Sequence, residues 1–292
     1  MSKETESIFA ELNKYLENFE LKNEADLDKA IDQFFNKYNE GDIDSFFNDD
    51  PQFLSADKFT EAMAADDLDE AVRLTKEALE IYPENVEATL FLISVEYLTD
   101  IPGKLDALNK LIEKLEANLQ AEGYFSKEYR GMFWGVWETR PYMKARRARL
   151  ETLIECGMYK KAIKEAEDLL NLSSSDNLGI RYLLAPLYGL FEDTNKLNKL
   201  LKKYPENTPS LLLSQALLKF KQAKFDASLD LFKQIHEENP YLISYIQDAE
   251  DFEQPMMFSR GSEEEAQDAI ANNYPLLLSM FSLYIFLAEN FD

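Results

Sequence analysis

The sequence predicts an all-α fold made of repeated helix-turn-helix pairs, and three observations predict it. A mark recurs along the chain in which one position is followed twelve residues later by proline or a substitute: Ala71 to Pro83, Ala162 to Ser174, Asp193 to Pro205 and Ser228 to Pro240. Between these marks apolar residues return at the i, i+3, i+4 spacing of a one-sided helix. Only nine glycines and ten prolines interrupt 292 residues, of which 46% are hydrophobic, so long helices and a sizeable core are both accommodated.

A chain of this length exceeds what one compact core usually holds, which favours either two domains or an elongated stack of repeats. The marks favour a stack in three parts: an N-terminal helical extension over 1–50, repeats over 51–240, and C-terminal capping helices over 241–292. In the extension, two amphipathic helices over 5–40 separate near Asn23 to Asp26, and Gly41 to Pro51 is an acidic connector. A degenerate first repeat and a simple cap both fit this segment.

The clearest copy runs from Asp66 to Asn85. A small residue at Ala71 lets paired helices approach closely, and Leu68 is expected to close the inter-helix turn with an apolar contact. Pro83 cannot donate an amide to a continuing helix, and Glu84-Asn85 then caps the next one. Three further copies turn at Gly157, at Leu190 to Asp193, and at Ala223 to Asp226. Positions 174, 205 and 240 are 31 and 35 residues apart. In the third copy Asp193 stands where a small residue belongs. Between Asn85 and Arg130 an irregular pair is expected, Val86 to Leu98 and about Lys104 to Ala121, separated by Ile101-Pro102-Gly103. Ser262 to Glu265 reads as a capping box that restarts a helix after the breaks at Glu253-Gln254-Pro255 and Arg260-Gly261. The apolar run Pro275 to Ala288 is too short to cross a bilayer and is expected to be a buried closing helix.

These marks resemble the tetratricopeptide repeat, whose period of 34 the observed spacings bracket, and whose second helix carries small residues and a closing proline at the spacing of Ala71, Ala78 and Pro83. Trp137 to Met143, the turn at Gly157 and Asp176 to Tyr182 also resemble a core of bacterial tetratricopeptide proteins and of the suppression-of-tumorigenicity seven family. The resemblance implies a superhelical solenoid whose first helices line a concave groove for a peptide or partner protein, with no reaction. Family members that bind chaperone tails hold a carboxylate with asparagine and lysine on those helices. Here Arg147, Glu151, Leu213 and Leu217 occupy the equivalent places, so that clamp is not reproduced.

Charge narrows the partners. With 31 basic and 55 acidic residues the net charge is −24, which repels nucleic-acid backbones and favours partners with a basic patch. Against this background residues 140–164 hold eight basic and two acidic side chains. On a helix, Arg146 projects into the stripe formed by Tyr142, Met143, Leu150, Leu153 and Ile154. Two readings stay open: an internal ion-pair network, or recognition of an anion or carboxylate by Arg140, Lys144, Arg147 and Arg149 beside Trp134, Trp137 and Tyr142. Asn177 and Arg181, at the start of the next first helix, would extend the same surface.

Nothing in the sequence assembles a catalytic group. His236 is the sole histidine and falls in a last helical turn, where imidazole meets the helix dipole favourably. Cys156 is the sole cysteine, which rules out an internal disulfide and fits a cytoplasmic protein. No metal ligand set, glycine-flanked serine or phosphate loop stands out, so no metal or other cofactor is expected. The N-terminus lacks the apolar run of a secretory signal. The expected function is an adaptor or scaffold that binds protein, with an intracellular peptide-signal sensor as the alternative, and with no membrane or nucleic-acid partner.

Overall fold

A computed structural model describes residues 8, 12, 15, 16, 19, 23–40, 50–248, 255 and 257–291. They form 14 α-helices and two 3-10 turns joined by turns and loops. The chain divides into two compact units, Met1–Ala107 and Leu108–Asp292. The expected connector over 41–49, the break at Glu253-Gln254 and most of the first helix of the N-terminal extension lie outside the described residues.

The first unit holds α1 (Glu24–Glu40), α2 (Pro51–Met63), α3 (Leu68–Ile81), α4 (Val86–Glu96) and the beginning of α5 (Ile101–Ala121). Each start has a local cause. The Asn23 side chain accepts the Asp26 amide at 3.0 Å, and Asp50 accepts from Gln52 ahead of Pro51 in the first helical position, where its missing amide hydrogen is no loss. α2 and α3 pack as a hairpin with Ala71 and Ala78 buried between them. Ser55 donates to the Ala78 carbonyl at 2.7 Å and receives a bond from Asn85, while Asn85 itself caps α4 through the Ala88 amide. Leu68 does not close the turn: its side chain is exposed, and Asp67 holds the start of α3 by accepting from Glu70. α5 begins at Ile101, three residues before expected, because Asp100 accepts the Gly103 amide and Pro102 falls in the first turn.

The second unit contains the remainder of α5, 3-10 turns at Phe133–Gly135 and Trp137–Thr139, then α6 (Arg140–Glu155), α7 (Tyr159–Leu172), α8 (Ile180–Leu190), α9 (Thr194–Lys203), α10 (Pro209–Lys221), α11 (Phe225–Glu238), α12 (Tyr241–Asp248), α13 (Glu263–Leu277) and α14 (Leu283–Asn290). α6/α7, α8/α9 and α10/α11 are hairpins with one turn geometry. Gly157, Glu192 and Ala223 all have left-handed φ, of 67°, 57° and 56°. The amide that follows each bonds back to Leu153, Tyr188 and Lys219, the six-to-one bond of a Schellman turn. The second helices also stop alike. Tyr82, Ser173 and Asn239 are extended C-caps and Tyr204 also leaves the helical region, with φ −122° and ψ 81°; each stands directly before the proline or its serine substitute, and proline pushes its predecessor out of the helical region.

The third copy is corrected in register. Asp193 is the N-cap of α9, accepting from Lys196 at 2.9 Å, and the position equivalent to Ala71, Ala162 and Ser228 is Leu197, which is buried. That pair packs through a leucine. In the fourth copy the small residue makes a direct contact, Ser228 donating to the Ala216 carbonyl at 2.9 Å.

α13 lies on α8 and α10, the first helices of the last two pairs. Gly189 permits this, since a Cβ there would stand 2.6 Å from Leu276. Asn273 donates to the Ser210 carbonyl at 3.0 Å and accepts from Ser214 at 2.7 Å. α10 is therefore enclosed on nearly every side, in keeping with its apolar sequence. The run Pro275 to Ala288 is not one buried helix. α13 ends at Leu277 and α14 starts at Leu283, with Leu276, Met280, Leu283 and Leu287 buried while Leu278, Phe281 and Ile285 face outward.

Candidate functional site

Five of the island's eight basic residues rest on α6, with Lys160, Lys161 and Lys164 on α7, and helix geometry splits the α6 set into two faces. Tyr142, Arg146 and Arg149 point one way; Arg140, Lys144, Arg147 and Glu151 recur at four- and three-residue steps on the other.

The first face is an internal ion-pair network. Arg146 meets Glu165 of α7 in a two-pronged bond, Nε to Oε1 at 2.6 Å and Nη2 to Oε2 at 2.9 Å. Both side chains are buried, with 10% and 8% exposed. Arg149 adds a third bond to the same carboxylate at 2.6 Å and reaches Asn109 of α5. Tyr142, 2% exposed, accepts from Arg146 at 3.3 Å and donates to Glu116 at 3.1 Å. Burial opposes charge on Arg146, but the hydrogen bonds and attraction of Glu165 outweigh it and raise its pKa. Burial also pushes the Tyr142 hydroxyl up, against the pull of Arg146. Arg146, Arg149 and Tyr142 are thus held in bonds within the chain.

The second face begins with an aromatic clasp. The Arg140 guanidinium stands 4.9 Å from the Trp137 ring centroid and 5.5 Å from that of Trp134, and its Nε donates to the Trp134 carbonyl at 2.9 Å. The two 3-10 turns aim the indoles, held by Thr139, which donates to the Phe133 and Val136 carbonyls. Trp134 is buried and Trp137 partly open. Arg140 Nη1 is buried and makes no hydrogen bond within the described residues. Lys144 is half-buried, and Arg147, 41% exposed, pairs with Glu151 one turn on at 2.9 Å.

Arg181 and Asn177 belong to a separate cluster. Asp176, with left-handed φ of 52°, accepts the amides of Ile180 and Arg181 at 2.7 and 3.0 Å, so Asp176, not Asn177, caps α8. Asn177 accepts from Ser175 at 2.5 Å and is exposed. The Arg181 guanidinium bonds Asp176 and Glu206 at 2.8 and 3.0 Å over the Tyr182 ring at 4.3 Å. Burial and the Glu206 hydrogen bond push the Tyr182 hydroxyl up to about 12. Sequence reasoning missed Glu116, Glu165 and Glu206. A buried-phase arginine at 146 implied a carboxylate, and Glu165 was the one acid on the apolar face of the following helix.

His236 lies in the last turn of α11 with its ring 5.9 Å from Phe291. Cys156 is the half-buried C-cap of α6. No group of three or more His, Cys, Asp or Glu among the described residues is placed to hold a metal ion, and no described helix is long and apolar enough to cross a membrane. No protein-family model matches the chain, and no curated protein matches it.

Proposed function

We propose that this chain is a tetratricopeptide-type adaptor that binds a peptide or partner protein, with residues 51–240 as the repeats between an N-terminal extension and a C-terminal cap. Its setting is the cytoplasm and its role is binding without catalysis. The observation that carries the reading is the second face of α6, where Trp137, Arg140, Lys144 and Arg147 line one side of a first helix in a chain of net charge −24. The first helices of the next two pairs are covered by α13, so the proposed surface is confined to α6.

An acidic or carboxylate-bearing segment fits it. The Arg147–Glu151 pair is exposed, and such pairs contribute little, about 0–1 kcal/mol, so Arg147 can exchange Glu151 for a ligand carboxylate at small cost. Arg140 is already oriented by its two indoles, which reduces the entropy lost on binding.

The test is selection of acidic peptides from a display library on the full chain, followed by affinity measurement on a Lys144→Glu, Arg147→Glu variant. Selected peptides are expected to bind the variant at least tenfold more weakly at unchanged melting temperature. Peptides that bind both proteins equally, or no enrichment over a blank support, would overturn the assignment.

A further inference from the structure

We infer that the side of the C-terminal segment opposite the core is a docking surface for a basic amphipathic helix of another protein. Phe281 is 89% exposed, Leu278 62%, Ile285 59% and Tyr274 52%. They follow one another at steps of four, three and four residues. The chain between them keeps helical or tighter turns: Leu278 bonds back to Tyr274, Ser279 to Leu276, Met280 to Leu277, Leu283 to Met280 and Phe286 to Ser282. Four- and three-residue steps along such a ribbon fall on one side.

The other side of the same ribbon is complete. Leu276, Leu277, Met280, Leu283 and Leu287 are buried in the core of the second unit. A helical segment apolar all round is normally enclosed all round; among the described residues this one is enclosed on one side only. The open strip amounts to a few hundred Å², on the order of the patches that mark binding surfaces on monomers.

Charge selects the occupant. Residues 261–292 carry six acidic side chains and no Lys, Arg or His. Glu264 and Glu289 are exposed, Glu289 one turn beyond Ile285 and Glu264 in the first turn of α13, ten residues before Tyr274. Glu264 is held below the usual carboxylate range by its hydrogen bond with Ser262, and so stays ionised. An anionic bilayer and a second copy of this chain both meet like charge here. A helix with apolar residues at i, i+3, i+4 and i+7 and lysine or arginine flanking them matches both the strip and the acidic segment that carries it.

The surface lies apart from the α6 stripe, and the two can fail separately. The probe is a synthetic 18-residue amphipathic helix of leucine and lysine, titrated into the full chain by calorimetry beside a peptide with glutamate at every lysine position. The lysine peptide is expected to bind and the glutamate peptide not. A Leu278→Ser, Phe281→Ser variant, which leaves the charge unchanged, should weaken binding at least tenfold while retaining the helical circular dichroism and melting temperature of the parent. Glu264→Gln, Glu289→Gln should also weaken it, and Lys144→Glu, Arg147→Glu should not. Equal binding to parent and serine variant, equal binding of both peptides, or a dimer in sedimentation that the serine variant abolishes would each overturn the inference.

Discussion

Replacing Glu165 by leucine removes the one carboxylate shared by Arg146 and Arg149, and the structure sets the size of the effect. Arg146 has only 10% of its side chain exposed, and its nearest other acid, Asp168, is 3.9 Å away. A charge left buried without its partner costs about 3–5 kcal/mol. For a unit of this size each kcal/mol lowers the melting temperature by about 2–4 °C, so a fall of roughly 6–20 °C is expected. Trp134 and Trp137 are the only tryptophans, and both belong to the second unit, so urea unfolding followed by tryptophan fluorescence reports on that unit alone. The companion variant Arg146→Met, Glu165→Leu replaces both charges by apolar groups of similar volume and should recover most of the loss. A cost below about 1 kcal/mol for Glu165→Leu, or a double variant no more stable than the single, would refute the reading of a buried, mutually dependent pair.

Further outcomes follow from the turns and caps. Ala223→Gly relieves a left-handed alanine and should stabilise by about 0.5–1 kcal/mol, whereas Gly157→Ala should destabilise by about 1–2 kcal/mol, both read by urea melts. Asp176→Ala removes two amide bonds and the Arg181 pair together and should cost about 2–3 kcal/mol by the same assay. Tyr182 keeps its proton to about pH 12 when folded, while an unfolded tyrosine releases it near 10. Its contribution to stability is therefore full below pH 10 and lost as pH rises to about 12. A difference absorbance titration against Tyr182→Phe should show a tyrosinate step near that value, moved toward 10 by Glu206→Gln.

Much of the architecture was legible residue by residue because its causes are local. A proline forces its predecessor into extended backbone, so the ends of α3, α9 and α11 could be placed to within a residue, and Asn85 and Ser262 could be assigned as caps from their spacing. Register failed in the third copy, where Leu197 took the place of a small residue. For the candidate site, the basic island was visible from composition alone, and its division on α6 into a buried ion-paired face and a more exposed face was not, since the sign of a charge says nothing about which carboxylate lies across from it.

The amino-acid order determined most of the helical segments and many of their ends, because periodicity, capping and proline act over a few residues. Only the tertiary structure decided that Glu165 neutralises two arginines, that α13 covers the first helices of the last two pairs, and that Tyr274 to Ile285 is open on one side. Burial and pairing depend on elements distant in sequence, such as Asn273 against Ser210 and Ser214, and no local rule specifies which distant surface an apolar face will meet.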